Sequence, residues 1–456
     1  MSNRPDRGSK LYALMISMIA AVGGFIFGYD LNVISPAMLF ITDEFQLSPF
    51  GDSFARSSAL FACIIGPILA YIICDAIGRR ACLIIAGILF AVSAIGTALP
   101  ETMEQFNTFR ILGGIGVGLA SIVSPMYIAE VAPARLRGML VTVNQLAIVI
   151  GSTIAISVCY FAAKIESWRL MFASELPPIV LFLIGLYFLP RSPRWLMQKG
   201  REEEALEVLS RVDGKENAKK EIEEIREVIT EETGTFRELF FPGVRMALLI
   251  AVGIAMFQQW CGTSPLMSYA PDIFRKAGFD SVEGAIRQTV FMHLFLLCCT
   301  LVAFALVDRV GRRPLLLFGT VGMAFSLILL GLLFHLQQTG VNVVIAMFLA
   351  QFAYEISLAP VGWVIISEIF PTKLRAKGQS IAVVLLWISA AISVLITGPM
   401  MTTMENRFGS PAGTFWVFSA VCIGAFVFTK FLVPETKGKS LEAIGKMWLH
   451  KPEETE

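Results

Sequence analysis

The chain has 456 residues, 55% of them hydrophobic and only 16% charged, with a formal net charge of +1. A soluble globular chain carries about a quarter charged residues, so this composition excludes an ordinary water-soluble domain and points to the membrane. The near-neutral balance gives no electrostatic case for nucleic acid, and eight scattered cysteines without a C-x-x-C pair read as small packing residues rather than disulfides or metal ligands.

Arg4, Arg7 and Lys10 precede the first apolar run. That run outlasts the 7–15 residues typical of a secretory h-region, so it predicts a membrane span rather than a cleaved signal. Spans of about 20 apolar residues are predicted at Leu11–Leu39, Ser57–Cys74, Ala81–Leu99, Phe106–Ala129, Met139–Ala162 and Trp168–Leu189. After a polar segment, Arg191 to Gly243, six more follow at Val244–Tyr269 (extended to Phe274), Arg287–Val307, Pro314–Leu336, Val341–Ser367, Gly378–Met404 and Thr414–Val433. In the polar segment Leu206 and Leu209, then Ile222, Ile225 and Ile229, recur at helical spacing, which predicts short amphipathic helices. The organisation predicted is a bundle over 1–190, a helical linker over 191–243 and a second bundle over 244–456, an all-α membrane protein.

The two bundles share motifs. Asp75-Ala76-Ile77-Gly78-Arg79-Arg80 returns as Asp308-Arg309-Val310-Gly311-Arg312-Arg313, and Glu130…Arg137 returns as Glu368…Arg375. Duplicated halves in a membrane are the usual architecture of a secondary transporter, with the substrate between them. Alternate loops hold Arg79, Arg80, Arg135, Arg137, Arg309, Arg312, Arg313, Lys373, Arg375 and Lys377, while the opposite loops are acidic (Asp43, Glu44, Asp52, Glu101, Glu104). Basic loops stay in the cytoplasm, which puts both termini and the linker there.

Charges inside spans need a partner or a task, because each costs roughly 2.5–3.5 kcal/mol on insertion scales. Asp30 lies in the first span, and Arg110, opening the fourth, is its candidate partner; Glu175 is a third ionisable group of the same half. Arg keeps its proton whereas Asp can be neutralised, so the pair can switch or can simply hold two helices together. Asp75, Arg79, Glu130, Arg137, Asp308, Arg312, Glu368 and Arg375 lie at helix ends as opposite charges that pair or part. Glu355 precedes Pro360 and Gly362, which should break the tenth span near mid-membrane. His293 reads as a packing or helix–helix hydrogen-bonding residue.

Taken together, Gly23-Gly24…Phe27-Gly28-Tyr29-Asp30, Arg110 to Gly118, the two Asp-x-x-Gly-Arg-Arg loops, the two Glu…Arg loops, Ser192-Pro193-Arg194-Trp195-Leu196, Gln258-Gln259, Trp363 and Pro434-Glu435-Thr436-Lys437-Gly438 resemble the sugar porter family of the major facilitator superfamily. Ser124 to Glu130 and Met171 to Glu175 are most similar to the bacterial xylose–proton symporters within it. The resemblance implies twelve helices in two pseudo-symmetric six-helix bundles, alternating access, and proton coupling through Asp30, Arg110 and Glu175. Glucose facilitators of the family carry Asn where Asp30 stands. It further implies a cytoplasmic network that includes Glu355, and a sugar site of Phe27, Gln145, Gln258, Gln259, Ser264, Tyr269, Trp363 and Trp387.

Several family amides are missing. Ser264 stands where the family has Asn, Ser268 replaces the first of two tyrosines, Leu296 replaces an Asn and Leu386 a frequently polar residue. The reading is a proton-coupled monosaccharide symporter, monomeric, in a bacterial inner membrane, with the proton gradient as its energy source and neither cofactor nor metal. Its rivals are a passive sugar facilitator and a carrier of a polyol or other small organic solute. An enzyme is not expected, since there is no Walker-type loop or His/Glu metal cluster, and the Gly114–Gly118 run reads as close helix packing.

Overall fold

The computed structural model describes residues 9–133, 135–230, 235–438 and 448, and among them there is helix but no strand. Twelve stretches of the described residues are helical, long and apolar enough to span a bilayer. The first six comprise α1 (Lys10–Glu44), α2 (Pro49–Cys63), α3 (Ile65–Ile77), α4 (Arg79–Ala98), α5 (Met103–Val131), α6 (Arg137–Ala163), α7 (Trp168–Ala173) and α8 (Leu176–Phe188). The linker forms α9 (Pro193–Gln198), α10 (Glu202–Asp213) and α11 (Lys215–Thr230). The second six comprise α12 (Val244–Trp260), α13 (Thr263–Ser268), α14 (Ala270–Lys276), α15 (Val282–Val310), α16 (Arg312–His335), α17 (Val341–Glu355), α18 (Leu358–Glu368), α19 (Arg375–Phe408) and α20 (Ala412–Leu432).

Apart from the linker helices and α14, there are more helices than spans because four spans are broken, and proline accounts for each of these breaks. Proline has no N–H and clashes with the carbonyl four residues before it. Pro67 strands Cys63, where α2 ends; Pro177 strands Ala173, where α7 ends. Pro265 and Pro360 strand Cys261 and Ile356, the first residues beyond α12 and α17. The tenth span therefore breaks at Ile356–Ser357, ahead of the Pro360–Gly362 stretch predicted to break. Pro36, Pro125 and Pro399 stay inside continuous helices. At the α12–α13 break Gly262 has φ +92°, and a Cβ there would press on the Phe418 ring at 3.0 Å.

The second span also begins earlier than predicted, at Pro49 rather than Ser57. Asp52, Ser53 and Arg56 make that turn look like a loop, but all three are buried and bonded.

Contacts divide the described residues into two units. One takes in Met1–Val33, Phe61–Val158 and Arg169–Glu232; the other takes in Ile34–Leu60, Cys159–Trp168 and Thr233–Glu456. In the first, α5 packs along α4 and α3. Its glycines set the spacing: a Cβ on Gly118 would stand 2.3 Å from the Cys63 carbonyl oxygen, so the backbones touch. The Gly114–Gly118 run thus serves close packing, as predicted. In the linker Trp195, Leu196, Ala205, Leu209, Ala218 and Ile222 form a small apolar core. In the second unit α16 packs against α17 and α20, and α12 against α19. Outward side chains such as Phe161, Tyr187 and Phe431 are large, apolar and exposed, as a lipid-facing surface requires.

Candidate functional site

The first unit holds a charged centre with unspent bonding capacity. Asp30 and Arg110 are 1% and 0% exposed. Arg110 Nη1 donates to Asp30 Oδ1 at 2.7 Å and to the Asp30 carbonyl at 3.1 Å. Among the described residues, Asp30 Oδ2, Arg110 Nε and Arg110 Nη2 have no hydrogen-bond partner. The guanidinium also lies 5.7 Å from the Phe172 ring centre. Gly113 makes room beside the pair for Ser93, whose Oγ would stand 2.4 Å from a Cβ there. Glu175 sits at the α7–α8 break, 1% exposed, with Oε1 unpartnered and both Asp30 and Arg110 within Coulomb range. The structure therefore brings together the three residues predicted for coupling.

A buried ion pair is stabilising only when its remaining lone pairs and protons are satisfied. Each orphan polar atom costs about 1–3 kcal/mol, and more when charged. With these atoms open, the pair is a poor stabiliser. Protonating Asp30 would remove the attraction while the backbone carbonyl still receives Arg110 Nη1.

The amides of the second unit are partly committed. Gln258, 1% exposed, donates through Nε2 to the carbonyls of Leu358 and Ala359 at 3.0 and 3.1 Å. Those carbonyls open α18, so Gln258 braces the broken span, and its Oε1 remains without a partner. Gly362 lets α18 approach: a Cβ would stand 2.9 Å from Gln258 Nε2. Ser264 donates to Gln259 Oε1 at 2.6 Å. Gln258 thus braces a helix through its donors and leaves its acceptor open among the described residues. Tyr269, predicted to touch substrate, has its hydroxyl 2.7 Å from that of Ser53. Trp363 is half-buried and Trp387 buried. In the first unit Phe27 is half-buried, and Gln145 is half-buried with no hydrogen bond to a described residue.

The helix-end charges pair among themselves and with the linker. Arg79 bridges Asp75 at 2.9 Å and Glu130 at 3.0 Å, and Ser192 also donates to Glu130. Arg137 reaches Glu221 of α11 at 2.6 Å, while Arg135 reaches Asp213 at 3.1 Å. The linker supplies the nearer carboxylates. In the second unit Arg312 bridges Glu368 at 3.4 Å, and Thr436 donates to Glu368 at 2.9 Å. Glu435 accepts from the backbone N–H of Arg312, Arg313 and Lys437. Burial alone would raise its carboxyl, but these N–H donors outweigh it and hold Glu435 below the usual carboxylate range. Arg375 is the first residue of α19; the side chain of Asp308 lies outside the described residues. Glu355 stands apart from these pairs at the α17–α18 break, accepting from Thr300 at 3.3 Å. His293 donates from Nδ1 to the Thr289 carbonyl four residues back at 2.9 Å.

Sequence reasoning missed three features. Asn144 is 6% exposed with Oδ1 unpartnered, and a Cβ on Gly24 would stand 2.6 Å from it. Gln351 is 1% exposed with Nε2 unpartnered. Arg56 is 2% exposed between two aspartates. Asn144 and Gln351 are polar residues inside apolar helices, which was the available signal.

The family model for sugar (and other) transporters matches residues 16–448. The chain belongs to this sugar porter family. The D-xylose-proton symporter of Escherichia coli (strain K12) is 36% identical over 98% of this chain and 97% of its own length. The arabinose-proton symporter of Bacillus subtilis (strain 168) is 37% identical, over 96% and 95%. A solved inward-open conformation of the xylose transporter XylE from E. coli superposes with a TM-score of 0.84 at 34% identity, covering 96% of this chain and 100% of that one. This is a family of transporters on the major facilitator fold, not of enzymes. Against that family the departures are structural as well: Leu296 and Leu386 are 3% and 2% exposed, apolar and packed.

Proposed function

We propose that this sugar porter is a proton-coupled monosaccharide symporter working by alternating access, with pentoses the first candidates because similar proteins carry xylose and arabinose. The supporting observation is the buried Asp30–Arg110 pair with open valences beside Glu175. A proton on Asp30 frees Arg110, and binding of the neutral solute then commits the cycle. Residues 1–190 and 244–456 move as the two bundles, with the 191–243 linker and both termini in the cytoplasm of a bacterial inner membrane, and the unit is a monomer. The energy source is the proton gradient. In this reading Phe27, Gln145, Gln258, Gln259, Ser264, Trp363 and Trp387 face the solute, and Tyr269 closes over it.

A second reading, a solute with fewer hydroxyls than a hexose, is favoured by one observation. Both hydrogens of the Gln258 amide are already given to Leu358 and Ala359, and the family amides at Ser264 and Leu296 are absent. Counterflow into liposomes with a panel of pentoses, hexoses, polyols and small organic solutes tests both. Exchange of a pentose or hexose supports the first reading; exchange of polyols or organic solutes alone supports the second.

A further inference from the structure

One face of the second unit is built from both halves of the sequence. Residues 34–60, from the outer ends of α1 and α2, pack with α13 and α14. These segments lie at the end of the spans opposite the Asp-x-x-Gly-Arg-Arg loops. Arg56 is the centre of the contact. It forks onto Asp52 of its own helix, Nε to Oδ2 at 2.9 Å and Nη2 to Oδ1 at 3.1 Å. Nη2 also stands 3.0 Å from Asp272 of α14, Nη1 donates to the Ser268 carbonyl, and the guanidinium lies 4.4 Å from the Tyr269 ring centre. Its side chain is 1% exposed, that of Asp52 12% and that of Asp272 28%. Thr42 donates to Asp52 at 2.8 Å, which fixes the fork from α1. Ser35 donates to the Met267 carbonyl at 2.9 Å beside it.

A second cross-half ion pair at this end, Lys164–Glu283, is 3.8 Å long with both side chains nearly half exposed. Such a pair contributes little in water, so the buried cluster dominates the contact. Its two aspartates are not equivalent. Asp52 travels with Arg56 on one helix, whereas Asp272 belongs to the other half of the chain.

We propose that Arg56, Asp52 and Asp272 form a latch closing the solute path at this end, in which Asp52 is the resident counter-ion and Asp272 the exchangeable one. When the halves part, Arg56 leaves Asp272 and the Ser268 carbonyl but keeps both bonds to Asp52. The guanidinium is never left without a counter-charge, so opening does not strand a buried cation. Asp52 is thus a positioning residue that eases opening, and Asp272 one that holds the closed state. The two aspartates therefore act with opposite sign. This rests on the proposal that residues 1–190 and 244–456 move as bundles.

The test is a distance distribution between spin labels on cysteines introduced at Phe50 and Asp280, both exposed, with the exposed Cys298 changed to Ser. Asp272→Asn should raise the long-distance population several-fold over wild type, and Asp52→Asn should lower it. Asp272→Glu should return it toward wild type. If either Asn variant leaves the populations at wild-type values, or both shift them the same way, the latch is overturned. Should Asp272→Asn not fold, Asp52→Asn alone carries the sign: an unchanged or larger long-distance population overturns the proposal. A wild type that shows one distance under every proton and solute condition would instead overturn the two-bundle reading. The readout needs no knowledge of the solute, so a failed sugar assay leaves it intact.

Discussion

Arg110 holds Asp30 through a single nitrogen, Nη1, at 2.7 Å, although a guanidinium and a carboxylate can pair through two. The second carboxylate oxygen and two guanidinium nitrogens are left buried and unpartnered. The geometry holds two charges together without satisfying them, which suits a pair that must part.

Removing the cation of that pair should destabilise the fold. Arg110→Leu leaves Asp30 as a lone buried acid, a change that costs about 3–5 kcal/mol where buried pairs are broken. The thermal midpoint of the purified protein should fall by several degrees, and more at pH 8 than at pH 5, since protonated Asp30 needs no cation. An equal fall at both values would place Arg110 in packing alone.

Gln258 should be read as a brace as well as a ligand. Gln258→Glu turns two donated hydrogen bonds into a carboxylate facing the carbonyls of Leu358 and Ala359. Lost hydrogen bonds and orphaned groups together predict about 1–3 kcal/mol of destabilisation. Gln259→Glu, whose Oε1 accepts from Ser264, should cost less. Comparison of the two melting curves checks the order.

Ser264→Asn restores an amide the family has. It should add a donor and an acceptor near Gln259 and tighten sugar binding several-fold, about 0.5–1.5 kcal/mol per hydrogen bond. A titration of pentoses and hexoses on both proteins decides; no gain on any sugar favours the less hydroxylated solute.

Glu435 gives a pH-dependent term. Its folded pKa is depressed, so its stabilisation is present above the ordinary carboxylate pKa and is lost as pH falls through the lower folded value. Glu435→Gln keeps one acceptor for the first turn of α16 but cannot titrate. The gap in melting temperature between the two proteins should be widest above about pH 5 and shrink toward pH 3. A gap constant across that range would contradict the assignment.

The twelve spans were legible because apolar runs of bilayer length are a strong signal, and Asp30, Arg110 and Glu175 stood out as charges in such runs. The broken helices were only half legible. A proline marks each break, yet Pro36, Pro125 and Pro399 break nothing, because neighbouring groups decide whether a freed carbonyl is tolerated. Arg56 was hidden for a different reason. Polarity at the start of a span looks like a loop, and burial by a partner 216 residues away, as with Ser53 and Tyr269, leaves no local trace. The partners Asp213 of Arg135 and Glu221 of Arg137 were likewise hidden, since they become neighbours only when the linker folds back.

Coupling at Asp30 is the central claim, and one measurement bears on it directly. Wild type and Asp30→Asn are reconstituted in liposomes, and proton uptake is recorded on addition of a solute that exchanges by counterflow. The account predicts proton uptake and accumulation with wild type, and for the variant counterflow exchange without proton uptake or accumulation, because Asn imitates the protonated acid permanently. Full solute-driven proton uptake by Asp30→Asn would contradict it.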